Sequence, residues 1–165
     1  MSEAFVQTPI GWLQLIEENK VLSVIHFIDE VPAETPKNIS DFLKDCIQQI
    51  EGYFDGSKTD FSFMQNAIQQ GTIFQQKVWN ELLKIPYGKT ISYRELAIRL
   101  GDEKCIRAAA SANGQNNLAI AVPCHRVIGT DGSLTGYAGG LWRKKWLLDH
   151  EAKHSGKASQ GSLFG

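Results

Sequence analysis

Apolar and polar residues alternate through Phe5–Ile28, and the polar run Glu17-Glu18-Asn19-Lys20 breaks the alternation. A period of two on both sides of a polar break predicts a β-hairpin with one face buried. After a polar, Pro-containing link over Val31–Asn38 the period changes. Phe42, Leu43, Cys46, Ile47, Ile50 and Tyr53 recur at helical steps behind Ser40, a residue type that caps helix N-termini, and this predicts a helix. Cys46 falls on its apolar face, where a lone cysteine serves as a small core residue. Turn residues at Gly56–Asp60, an alternating Phe61 and Phe63 that predict a short strand, and the polar linker Gln65–Gln70 lead to a domain boundary near Gly71.

Beyond that boundary the helical period dominates. In GTIFQQKVWNELLKI, the residues Phe74, Val78, Leu82 and Ile85 take helical steps until Pro86-Tyr87-Gly88 ends them. Ser92 and Glu95 form a capping-box pair at the start of SYRELAIRLG, and Gly101 closes that helix. A further helix near Glu103–Asn113 carries Ala108, Ala109, Ala110, Ser111 and Ala112, so two helices and a tight turn make a helix-turn-helix candidate. Such a smooth helix either packs closely on a neighbour or enters a nucleic-acid groove. Arg107 amid the alanines, with Arg94, Arg99 and Lys104 nearby, favours DNA. The run Leu118-Ala119-Ile120-Ala121-Val122 predicts a buried strand or extended segment leading into Pro123-Cys124-His125-Arg126-Val127, and Leu141–His150 predicts a last helix.

The whole chain, 165 residues with a formal net charge of −1, conceals an asymmetry. Residues 1–70 hold 4 Lys/Arg against 11 Asp/Glu (net −7), whereas residues 71–165 hold 13 against 7 (net +6). The basic half is the candidate polyanion binder. No run approaches the roughly 18 apolar residues that span a bilayer, and the opening MSEAFVQTPIGW lacks a signal-peptide plan, so a soluble cytoplasmic protein is expected. Three widely spaced cysteines, Cys46, Cys105 and Cys124, fit neither a disulfide framework nor a zinc knuckle, which leaves a reduced thiol free for chemistry.

Cys124 is the candidate nucleophile. Pro123 stiffens its approach, and His125 brings a group that titrates near neutrality next to a thiol with an ordinary pKa of about 8.5. Neighbours along an extended chain point opposite ways, so the imidazole reaches the thiol only through a turn or a water. An orienting carboxylate is also needed, and Glu151, Asp131 and Asp149 are the candidates that spacing leaves open.

VPCHRVIG followed by GSLTGYAGGLWRKKWLLDHE resembles the active-site signature of the O6-alkylguanine-DNA alkyltransferases, also called methylated-DNA–protein-cysteine methyltransferases. The resemblance extends upstream through GTIFQQKVWNELLKIPYGKTISYRELAIRLG and IRAAASANGQNN, so it covers nearly all of 71–151, and residues 1–70 match loosely. It implies an α+β protein: an N-terminal ribonuclease-H-like α/β domain (1–70), a mostly helical catalytic DNA-binding domain with a helix-turn-helix (71–151) and a tail (152–165). It also implies that Cys124 accepts the alkyl group, that His125, polarised by Glu151, takes the thiol proton through a water, and that Asn116 braces the turn. By the same resemblance, the damaged base is expected to be flipped from duplex DNA held through its minor groove, with Arg107 filling the vacated place, Tyr93 crowding the target phosphate and Tyr137 sitting by the guanine. The resemblance further implies that Val127 offers its backbone to the base, that Gly136, Gly139 and Gly140 let a loop close over it, and that Ala138 and Arg126 belong with the substrate- and DNA-contacting residues.

A thioether has no easy reverse, so each molecule is expected to act once; no cofactor or metal and a monomeric state are expected as well, with O6-alkylguanine the expected lesion and O4-alkylthymine a second candidate. Two departures stand out. Asn116-Asn117 replaces a frequent Asn-Pro and is expected to loosen the turn, and Ala138 replaces a frequent serine, altering which alkyl groups fit. Cys105 is taken as structural. In the tail, Gln160-Gly161-Ser162-Leu163-Phe164 resembles the peptide by which bacterial proteins dock on the replication sliding clamp. Two other readings remain beside repair: a DNA-binding module whose cysteine senses alkylation, and a thiol hydrolase, which unlike the others would turn over.

Overall fold

The structure, a computed structural model, describes residues 1–157. The expected tail peptide at Gln160–Phe164 lies outside the described residues. By internal contacts the chain divides into two compact units, one of Met1–Gln69 with Asn117–Ala121 and one of Gln70–Asn116 with Val122 onward. The first unit takes back a five-residue segment from the second half of the chain. No helix among the described residues is long and apolar enough to cross a membrane.

In the first unit, β1 (Ser2–Thr8), β2 (Gly11–Glu18) and β3 (Val21–Ile28) form an antiparallel meander. The predicted hairpin is β2–β3. Its loop is Asn19-Lys20, with φ of 52° and 64°, the left-handed backbone that a two-residue hairpin loop with matching twist requires. Strand β1 extends the sheet beyond the hairpin; its inward residues Ala4 and Val6 are small, which mutes the alternation. Helix α1 (Asp41–Asp55) starts at Ser40, whose Oγ accepts from the Leu43 N–H at 3.1 Å. It buries Leu43, Cys46, Ile50 and Tyr53, and lies against β1.

Two expected extended segments fold otherwise. The Phe61/Phe63 pair enters a 3₁₀ turn, Ser62–Asn66, and the two rings stack at 4.9 Å. The run Leu118–Val122 makes only a bridge from Leu118 to Ile25 before it turns, with Ile120 at φ 72°. Its apolarity records burial, not extension: Leu118 and Ile120 are almost wholly inside. A β-branched residue at positive φ costs about 1–3 kcal/mol and persists because burial over-determines it. Asn117, expected to loosen this region, is tied by a backbone N–H that proline would lack, donating to Gln69 Oε1 at 2.9 Å, and its carbonyl accepts from Ile25 N–H.

In the second unit, α2 (Ile73–Leu82) opens with a full capping box between Thr72 and Gln75. A short strand β4 (Ile91–Ser92) runs into α3 (Tyr93–Arg99), then a 3₁₀ turn at Glu103–Cys105 and α4 (Ile106–Gly114), the helix-turn-helix foreseen. Ser92 caps α3 by accepting from the Glu95 N–H, but only this half of the expected box forms, because the Glu95 carboxylate pairs with Arg99 at 3.4 Å. On α4 the residues divide by face: Ala109 and Ala112 are buried, while Arg107, Ala108 and Ser111 are exposed. Strand β5 (Val127–Ile128) pairs in parallel with β4 and anchors the segment just after Cys124, and α5 (Leu141–Ala152) ends the unit's regular structure with a wide turn over Lys153–Lys157.

Candidate active site

Cys124 begins a one-turn 3₁₀ helix, Cys124–Arg126, closed by Arg126 N–H donating to the Pro123 carbonyl at 3.0 Å. Two asparagines pin it. Asn116 Nδ2 donates to the Val122 carbonyl at 2.8 Å and to Cys124 Sγ at 3.3 Å, and Asn113 Nδ2 donates to the Cys124 carbonyl at 3.2 Å. Burial raises the thiol above its ordinary value, while the Asn116 hydrogen bond and the Lys144 charge pull the other way. The resting group is therefore a thiol that needs a base.

The same turn that carries Cys124 also sends His125 into the interior. Its Nε2 meets Glu151 Oε2 at 2.6 Å, with both side chains wholly buried. Of the three carboxylates left open by spacing, Glu151 is the one at the histidine: Asp131 accepts from Ser133, and Asp149 pairs with Lys145 at 2.9 Å. Burial lowers His125 below its ordinary value despite the carboxylate, and Arg126 and Lys144 add to the lowering. Burial alone would raise Glu151, but the His125 and Arg126 contacts outweigh it and hold the carboxylate ionised. A proton on Nε2 facing the carboxylate leaves Nδ1 as an acceptor, and Nδ1 is buried with no hydrogen-bond partner among the described residues. The pair is thus a neutral base with its accepting nitrogen unengaged.

A cavity of about 530 Å³ opens between α3, α4 and the loop before α5, lined by Tyr93, Arg107, Gly114, Thr135, Tyr137 and Ala138 among others. The Tyr93 hydroxyl donates to the Thr135 carbonyl at 3.4 Å, and the Tyr137 hydroxyl is buried without a partner among the described residues. Both phenols are raised, chiefly by burial, so they stay protonated donors. Cys124, His125, Glu151 and Asn116 come together; Tyr93, Arg107, Tyr137 and Ala138 line the adjoining cavity; and Val127 is fully buried in β5.

The sequence profile of the 6-O-methylguanine DNA methyltransferase DNA-binding domain matches residues 73–153, and that of the ribonuclease-like domain of the same proteins matches residues 1–65. The chain belongs to the methylated-DNA–protein-cysteine methyltransferase family. It is 40% identical to the methylated-DNA–protein-cysteine methyltransferase of Methanosarcina barkeri, over 88% of this chain and 94% of that one. It is 43% identical to that of Mycolicibacterium paratuberculosis, over 91% and 92%. Among solved structures, Mycobacterium tuberculosis OGT in complex with DNA superposes with a TM-score of 0.84 at 40% identity, covering 93% of this chain and 94% of that one.

For this family member, one expected contact needs correcting. Arg126, grouped with the substrate- and DNA-contacting residues, is buried. Its Nε and Nη2 donate to Glu151 at 2.8 and 3.1 Å, and its Nη1 donates to the Ile85 carbonyl at 2.7 Å. Gly88 N–H adds a further bond to Glu151 Oε1 at 3.2 Å, so the carboxylate joins the loop between α2 and β4, the catalytic turn and α5. Two residues escaped the sequence reading. Asn113 entered only as the end of the alanine-rich helix, with no role assigned. Lys144, inside the cationic run Arg143-Lys144-Lys145, drew no separate reading, yet it is 0% exposed. The available signal was its phase on α5, where residues 144, 147, 148 and 151 share the buried face.

Proposed function

We propose that this methyltransferase repairs DNA by moving an alkyl group from O6 of guanine to Cys124 Sγ, once per molecule. The observation that carries the reading is the neutral His125 with an unengaged Nδ1, set on the same turn as Cys124 and oriented by an ionised Glu151. Nδ1 takes the thiol proton through an intervening water. The thiolate attacks the alkyl carbon, the C–S bond forms as the C–O6 bond breaks, and the electron pair leaves with the purine. Asn116 and Asn113 hold the sulfur and its carbonyl while this happens.

The alkylated base enters the cavity from a duplex gripped through its minor groove. Arg107, exposed on α4 beside Ala108 and Ser111, takes the place of the flipped base in the stack. Tyr93 crowds the target phosphate, Tyr137 offers its free hydroxyl to the purine, and Val127 presents its backbone to it. Ala138 at the rim leaves room that a serine hydroxyl would fill. The reading takes the protein as a cytoplasmic monomer, and its tail peptide Gln160–Phe164 as a clamp-docking segment whose affinity a peptide titration against the sliding clamp measures. In the test of the main reaction, increasing amounts of an O6-methylguanine duplex are mixed with a fixed amount of protein and the digested DNA is analysed. Guanine restored should plateau at about one per protein. Continued turnover would favour a hydrolase, and binding without restoration would favour a lesion sensor.

A further inference from the structure

Lys144 is wholly buried, and its surroundings do not balance its charge. Its Nζ donates to the Thr135 carbonyl at 2.8 Å and reaches the Gly136 carbonyl at 3.5 Å, and it lies 5.7 Å from the centre of the Tyr93 ring. The titratable groups that face it are Cys124 and His125 of the catalytic turn and Tyr93 of α3. Among the described residues no carboxylate stands within ion-pair distance of it; the nearby Lys145 takes Asp149 and Arg126 takes Glu151. Burying a cation without a counter-ion is costly, and proteins keep such an arrangement where a transient anion needs it.

We infer that Lys144 is the counter-charge of the reaction, stabilising first the Cys124 thiolate and then the negative charge that passes to the departing purine. The inference rests on the alkyl-transfer reading above. The charge requirement follows from the chemistry. Deprotonation creates one negative charge on sulfur, and displacement moves it to the purine without changing the total. The charge ends when the proton held by His125 returns through water to the guanine. One fixed cation serves both ends of that path, and its attachment to Thr135 and Gly136 places it on the same loop that carries Tyr137 into the cavity. Burial lowers the lysine to about 8, with Cys124 opposing, so the cation is present at neutral pH and is lost in the alkaline range. Lys144 acts through space and is a supporting residue, distinct from the groups that touch the reacting atoms.

The test is the single-turnover rate of methyl transfer from saturating duplex, measured against pH for the wild type, Lys144→Met and Lys144→Arg, with a thermal melt of each. The wild-type rate should rise with thiolate formation and fall above about pH 8. Lys144→Met should be roughly 10- to 100-fold slower at neutral pH and should show no alkaline fall. It should also melt at a higher temperature, since the unpaired buried charge is gone, whereas a merely structural lysine would lower the melting point when removed. Lys144→Arg keeps its charge at every pH tested and should lose the alkaline fall while transferring faster than the Met variant. A Met variant with wild-type rate and profile overturns the inference. If the Met variant fails to fold, an Arg variant that keeps the alkaline fall overturns it equally. A wild type that transfers nothing removes the alkyl-transfer reading itself, a distinct failure.

Discussion

Cys46 and Cys124 are both buried thiols, and the regions around them differ in sign. On α1, Cys46 has Asp45 and Glu17 for charged neighbours, and burial together with those carboxylates pushes it up to about 12. On the catalytic turn, burial again raises Cys124, but Asn116 donates to its sulfur and Lys144 sets a cation nearby. The first region is held by apolar packing: Leu13, Leu15 and Leu22 of the sheet and Leu43 of α1 are fully buried. The second is held by buried polar groups that satisfy one another, with Glu151 accepting from His125, Arg126 and Gly88. The difference teaches that burial silences a cysteine unless the same interior also supplies a donor, a cation and a neutral base.

That contrast can be broken most sharply at Cys124 itself. Cys124→Ser should abolish methyl transfer and leave binding to an O6-methylguanine duplex intact in a gel-shift titration. Glu151→Gln comes next. It should slow single-turnover transfer by roughly 10²–10⁴-fold, because His125 loses its orientation and its charge support. It should also destabilise the fold by about 3–5 kcal/mol in a urea melt, since the buried Arg126 loses its ionised partner. In the other region, Leu43→Ala should cost about 2–5 kcal/mol in the same melt and leave the rate per folded molecule unchanged.

Acid sharpens the contrast with a smaller effect. His125 is lowered in the fold, so below its ordinary 6.5 the unfolded chain binds a proton that the folded one refuses. Glu151 is also lowered, so below 4.5 the unfolded chain takes up a second proton first. Both make stability fall as pH falls, beginning near 6.5 and steepening below 4.5, and urea melts at stepped pH should show this slope reduced in Glu151→Gln. The smallest effect belongs to Cys46→Ala, which should remove a slow-reacting thiol from a labelling assay and leave transfer unchanged.

Much of this arrangement is legible in the sequence because local chemistry and global fold agree. The Asn19-Lys20 loop, the Ser40 cap and the pair of helices around Gly101 follow from turn, cap and period rules. The Pro-Cys-His motif and its family resemblance point to the acceptor thiol. Three features were hidden for physical reasons. The run from Leu118 to Val122 is apolar enough for a strand, yet burial satisfies it equally well in a turn. Arg126 sits in a motif next to the nucleophile, where an arginine suits either phosphate or carboxylate, and only the fold shows Glu151 within reach. Lys144 stands in the cationic run Arg143-Lys144-Lys145, where helix phase alone separates the buried cation from its neighbours.

The most direct test of the central claim is intact-protein mass spectrometry after incubation with a duplex containing one O6-methylguanine, followed by peptide mapping. The account predicts a gain of about 14 Da, one methyl group, on the peptide containing Cys124 and nowhere else. A methyl group mapped to Cys46 or Cys105, or an unmodified protein that nevertheless holds the duplex, would contradict it.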